Sequence, residues 1–245
     1  MKQDTLIKKI HFFPRKYFRI LCFTILFLLI INILLQSLYY FLHIQFKGFS
    51  ILRNLFNVDN EKNIPTLFSY IILLFSSILL AIIALLKRNT HDKNHRLWWI
   101  ISGLFFFLAT DEILESHEYL AIFLRKTFHL SGIFWYGWVI PFGIAIIILI
   151  FVFYRFVFHY LPDDTRNKFI IAGSIYIGGA LFLEMIGAYY YPYWGSDNMK
   201  WIILTSIEEG MEMFGALYFL YALMEYFNKY IGSVTIETKM DDPVQ

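Results

Sequence analysis

Charge is scarce in this chain: 16% of its 245 residues are Asp, Glu, Lys or Arg, where a soluble domain carries about 25%. The few charges are clustered, which leaves long uninterrupted apolar runs between them. A water-soluble fold of one or two domains is therefore excluded in favour of one that meets hydrocarbon. Cysteine is almost absent. Cys22 is the only one, so neither an internal disulfide nor a cysteine-based metal cluster can form, and its place in an apolar run suits a buried structural thiol. No basic patch with interleaved aromatics stands clear of the apolar runs, so nucleic acid is not an expected partner. Lysine is missing from the middle of every run, which rules out a retinal Schiff base.

What remains is 58% hydrophobic and 20% aromatic, with a mean hydropathy of +0.57. The apolar residues fall into six runs, about 20–42, 66–86, 97–118, 134–156, 169–190 and 201–226. Each reaches the roughly 20 residues a helix needs to cross about 30 Å of hydrocarbon. A transmembrane barrel would need alternating segments of about ten residues instead. The fold class expected is all-α: a polytopic membrane bundle of about six helices in one domain spanning 20–226, after a basic segment 1–19 and before a cytoplasmic tail 227–245 that is short, polar and mobile after Asn228. The first run is too long for a signal-peptide core and has no small-x-small cleavage site after it, so it reads as an uncleaved anchor.

Lys and Arg placement sets the orientation. With the N-terminus inside, fifteen of the 21 fall on cytoplasmic segments, among them Arg15, Lys16, Lys87, Arg88, Arg166 and Lys168; six fall outside, Lys47, Arg53, Lys62, Arg125, Lys126 and Lys200. Both termini are expected in the cytoplasm. The outer stretch 43–65 mixes Phe46, Phe49, Ile51, Leu52, Leu55 and Phe56 with polar residues, so part of it is expected to lie in the interface. The aromatic run from Tyr189 to Trp194 fits the membrane boundary.

Acids inside the runs carry the functional signal. The third holds Asp111, Glu112, Glu115, His117 and Glu118. At about 100° per residue, Asp111, Glu115 and Glu118 share a face with Glu112 beside it, and His117 points elsewhere. The fifth holds Glu184 between small residues. The sixth holds Glu208, Glu209 and Glu212 in a stripe with Thr205. At about 1.5 Å per residue, Asp111 and Glu184 lie about 20 Å from the inner boundary and Glu208 and Glu212 about 10–16 Å below the outer one. The three helices thus present carboxylates at one depth in the outer half. The third helix can alternatively stop near Thr110 and leave its acids in a solvated loop; the sixth has no such escape.

Ionised carboxylates in hydrocarbon must be protonated, hydrated, paired or bound to a cation. No Lys or Arg shares their depth, and Arg125, Lys126 and Lys200 reach the rim at best. Asp111, Glu115, Glu184, Glu208 and Glu212, with His117 and with His129 if its loop folds back, form a candidate ligand set for a divalent metal. Fe, Mn or Ca suits such a set better than Zn. Glu112, Glu118 and Glu209 are candidate general acids or bases. A lone buried Glu184 that merely hydrogen-bonds a neighbouring helix, and a His129 at the surface, are the plain readings of those two residues.

Several specific chemistries are weakened. No Glu-x-x-His pair of the di-iron bundles is present. His117-Glu118 lacks the second histidine of a zincin. Glu208-Glu209 is similar to the paired glutamates of membrane CAAX-type proteases, but Met213 stands where that motif needs arginine. The small residues from Ser174 to Ala180 suit helix packing better than a rhomboid-like nucleophile.

The run Asn63-Ile64-Pro65-Thr66-Leu67-Phe68-Ser69, the Asp111-Glu112 and His117-Glu118 pairs, Trp138-Val139-Ile140-Pro141 and Glu208-Glu209-Gly210-Met211-Glu212-Met213 together resemble a group of bacterial six-span inner-membrane proteins without an assigned activity. The resemblance covers about residues 50–226 and implies architecture, the bacterial cytoplasmic membrane and the site's position, but no mechanism. Three functions stay open: chemistry on a lipid-like substrate at a cation site, proton- or cation-coupled transport, and a structural or assembly role.

Overall fold

The computed structural model describes residues 8–9, 11–232 and 235–236. Most of the predicted tail 227–245 and the first residues of the basic segment lie outside the described residues. Apart from a two-residue antiparallel pairing of β1 (Lys8–Lys9) with β2 (Thr235–Ile236), the chain is helical. Its elements are α1 (Pro14–Leu42), α2 (Lys47–Phe56), α3 (Ile64–Asn89), α4 (His95–Leu114), α5 (Ser116–Phe128), α6 (Val139–Arg155), α7 (Asp163–Ile177), α8 (Glu184–Trp194) and α9 (Met199–Tyr226). A π turn, Phe156–Tyr160, extends α6; another, Gly178–Leu183, joins α7 to α8 into one rod.

Five of these rods, Pro14–Leu42, Ile64–Asn89, His95–Leu114, Val139–Tyr160 and Asp163–Trp194, are long and apolar enough to cross a membrane. Met199–Tyr226 has the length, with 28 residues, but any 18-residue stretch of it includes at least three of Lys200, Glu208, Glu209, Glu212 and Glu225. Exposed apolar side chains cover the outer faces, Phe23, Phe27, Ile30, Phe75, Phe106 and Phe151 among them. A solvated surface does not tolerate apolar patches of that extent.

Local chemistry sets the boundaries. Pro14 opens α1, with its fixed φ already helical. This starts the helix before the expected residue 20 and carries Arg15, Lys16 and Arg19 on its first turns. Asn63 accepts a hydrogen bond from the Thr66 amide at 3.0 Å and caps α3. Asn198 caps α9 through the Trp201 amide in the same way, also at 3.0 Å. Lys87 and Arg88 close α3 where its dipole is negative. The outer stretch 43–65 contains α2, whose Phe46, Ile51, Leu52 and Leu55 flank are exposed while Phe49 turns inward.

Helix α9 is the axis of the bundle. It packs against α1, α3 and α7, and α3 pairs with α4 as a hairpin. Leu73, Leu80, Ile83, Trp98, Leu217, Leu223 and Phe227 are fully buried between them. Cys22 lies half-buried beside this core. Polar ties fix the register: Asn32 donates to the Ser206 hydroxyl at 2.9 Å, and the hydroxyls of Ser77 and Ser102 each donate to the other residue's carbonyl at 2.9 Å. Glycine brings α7 and α9 together. A Cβ on Gly215 would stand 2.6 Å from the Tyr176 amide nitrogen, and one on Gly179 would stand 2.8 Å from the Glu208 carbonyl. Helix α6 stands off from the other long helices, with both its flanks exposed, and a long cavity lies between it and α4, α7 and α9.

Candidate functional site

The cavity measures about 1090 Å³. One end is polar: Asp59, Glu61, Asp111, Glu112, His117, Glu118, Glu184, Glu208, Glu209 and Glu212 line it, beside Arg125 and the rings of Trp135, Tyr136, Trp138, Tyr191 and Trp201. The rest is apolar, with Leu104, Leu108, Ile146, Leu149, Phe153 and Phe169 along its length. Acids from α4, α8 and α9 thus meet at one site, although α4 is far from the other two in sequence.

The α4–α5 junction builds one wall. Helix α4 ends at Leu114 because Glu115 takes a left-handed conformation, φ 55°, and α5 leaves in a new direction. The helix outlasts Thr110 but does not reach 118, and this overturns the expected shared face of Asp111, Glu115 and Glu118. Glu115 leaves the cavity and pairs with Lys62 at 2.6 Å. His117, expected to point away, turns back: its Nδ1 lies 2.7 Å from Asp111 Oδ2, and its backbone amide donates to Asp111 Oδ1 at 3.2 Å. Nε2 of the same ring lies 3.4 Å from Glu61. His129 ends α5 in a left-handed conformation and is exposed outside the cavity, so it does not fold back over the acids.

Helix α8 places Glu184 immediately after the π turn, a distortion often retained where a side chain must be aimed. Its Oε1 accepts from Trp138 Nε1 at 3.2 Å, and its carboxyl group lies against that of Glu208. Glu112, Glu209 and Glu212 line the same end of the cavity. Among the described residues, no side-chain donor hydrogen-bonds Glu112, Glu208, Glu209 or Glu212. Of the candidate ligands, Asp111, Glu184, Glu208, Glu212 and His117 are brought together, and Glu115 and His129 are not. Among the described residues, no group of three or more His, Cys, Asp or Glu is gathered closely enough to hold a metal ion.

Asp59 and Glu61 escaped the sequence reading because they lie outside the apolar runs. The loop 57–63 folds over the polar end, tied by Asn63, whose amide donates to the carbonyls of Asn57 and Asn60 at 2.6 and 2.5 Å. Both carboxylate oxygens of Asp59 accept from Trp201 Nε1 at 3.0 Å. Burial pushes Asp59 up from 3.8 to about 6; the Trp201 bond opposes this, and Glu184 and Glu118 add to it. Below 3.8 the group is protonated folded and unfolded alike, whereas above about 6 the folded chain must bury its charge. Stability should therefore fall as pH rises through that window. Thermal unfolding in detergent should show this slope in the wild type and a weaker one in Asp59→Asn; an unchanged slope in the variant would remove Asp59 as its source.

Residues 21–226 match the family described as Domain of unknown function (DUF8692), and the chain belongs to that family. No curated protein and no solved structure matches it. The family description carries no activity, organism or motif.

Proposed function

We propose that this family member is a six-span protein of the bacterial cytoplasmic membrane, with both termini inside, and that the acid-lined end of its cavity performs acid–base chemistry on a lipid-like molecule. The amphipathic cavity carries this reading: carboxylates of three helices meet at one end of a slot whose remainder is hydrocarbon-like, the form a polar head and an alkyl chain require together. Asp111 orients His117 as a carboxylate orients a general base, and Nε2 is left to exchange a proton with a substrate or with Glu61. Glu112, Glu118 and Glu209 line the same end of the cavity and are the candidate proton donors. The proposed roles need no bound metal.

The Glu184–Glu208 contact supports a second reading, proton-coupled transport. The acids beyond this pair continue along the polar end of the cavity and offer a path for a proton.

Reporter fusions at Lys93 and Arg166 should report cytoplasm, and one at Asp197 the outside; an external signal at Lys93 would overturn the orientation. For the chemistry, membranes carrying wild type should lose one amphiphile and gain its product by mass spectrometry. His117→Gln, which removes the base, should slow that conversion about 100-fold or more. Identical lipid profiles, together with proton flux in wild-type liposomes, would favour transport instead.

A further inference from the structure

The polar end of the cavity is rich in acids and poor in cations. Nine acids line it, against Arg125 and His117, and both of these are engaged. The Arg125 guanidinium lies 4.5 Å from the centre of the Trp135 ring, and His117 sits between Asp111 and Glu61. Glu208 is only 7% exposed and has another carboxyl, not a cation, beside it. A buried acid in that setting lacks the partner that usually accompanies it.

Aromatic rings surround the same space. Tyr191 lies 5.3 Å from Trp201, 6.0 Å from Tyr136 and 6.1 Å from Trp135 between ring centroids. Rings beside carboxylates are the chemistry that recognises an organic ammonium group, because both the ring face and the carboxylate attract it. Trp135 Nε1 is buried without an acceptor among the described residues.

The apolar part fits an alkyl chain. Along α6 and its π turn the lining runs from Pro141 to Phe158, about 25 Å at 1.5 Å per residue. Ile150, Tyr154 and Phe158 on that side, and Ile170 on α7, both line the cavity and are exposed. The slot is therefore open sideways between α6 and α7, where Ile150 and Ile170 line it and are exposed. A chain can enter there without crossing water.

We propose that the cavity binds an amphiphile with a cationic, amine-type head: the ammonium sits among Glu184, Glu208, Glu212 and the aromatic rings, and the alkyl chain lies along α6. This rests on the reading of the cavity as a lipid-like site and adds the charge of the head group.

The test uses the full chain in nanodiscs of neutral phosphatidylcholine, titrated separately with hexadecylamine, hexadecanol and palmitate. Hexadecylamine at a hundredfold excess over its Kd should raise Tm by about 5–10 °C and shift the tryptophan fluorescence. Hexadecanol should do far less and palmitate least. Glu208→Gln and, separately, Glu184→Gln should shrink the difference between amine and alcohol; either variant suffices if the other does not fold. Equal shifts from amine and alcohol would overturn the cationic head while leaving an amphiphile cavity. A larger effect of palmitate would overturn it too. No shift from any of the three would overturn the lipid-like reading as well.

Discussion

Gly215→Ala should unfold about 2–12 °C below Gly103→Ala in detergent, and Gly103→Ala should unfold at or slightly above the wild-type temperature. Both glycines lie inside long helices, so the gain in helix propensity, about 0.5–1 kcal/mol, is common to both. Their surroundings differ. The new Cβ at 103 meets nothing within 4 Å, and at 215 it stands 2.6 Å from the Tyr176 amide nitrogen and 2.9 Å from its Cα. Backbone cannot swing aside as a side chain can, so α7 and α9 must part. Overpacking of this kind costs about 1–3 kcal/mol, and each kcal/mol moves Tm by about 2–4 °C in a chain of this size. Parting α7 from α9 also pulls Tyr176 away from Glu212 on the cavity wall. A similar response from the two variants would show that α7 and α9 are not in close contact at Gly215.

The long helices are legible because each apolar run exceeds anything a loop could hold; their starts are set earlier than the runs suggest, by Pro14 and by the Asn63 cap. The meeting of α4, α8 and α9 acids follows from matched depth along straight rods. The turn at Glu115 was not legible. Glutamate rarely adopts a positive φ, and nothing in Ile113-Leu114-Glu115-Ser116 marks a break, so the helical-face argument ran four residues too far and misplaced Glu115 and His117. The loop acids Asp59 and Glu61 were missed for another reason. Depth can be counted along a helix, but a loop that folds back has no such ruler, and only the Asn57–Asn63 ties reveal it. Trp138 entered the sequence reading only through a resemblance; its hydrogen bond to Glu184 depends on a contact between residues 46 apart.

Neutralising the deepest acids should leave the fold intact and remove what the site does. Glu208 is buried against Glu184 and has no side-chain hydrogen-bond donor among the described residues. Holding charge there costs the folded state about 2.5–3.5 kcal/mol for an acid at the centre of a span. Glutamine has the same size and keeps an acceptor oxygen while adding a donor, so Glu184→Gln and Glu208→Gln relieve that cost without opening a void. Stabilisation by as little as 1 kcal/mol would raise Tm by about 2–4 °C. If the acids were ordinary hydrogen-bonding struts, the same changes would break a buried pair and destabilise the bundle.

The most direct measurement is thermal unfolding of wild type, Glu184→Gln and Glu208→Gln side by side in detergent, each with and without a long-chain amphiphile. Both variants should unfold at or above the wild-type temperature and lose the amphiphile-induced shift that wild type shows. Variants that unfold well below wild type, while wild type shows no such shift, would contradict the account and assign these carboxyl groups to the architecture of the bundle.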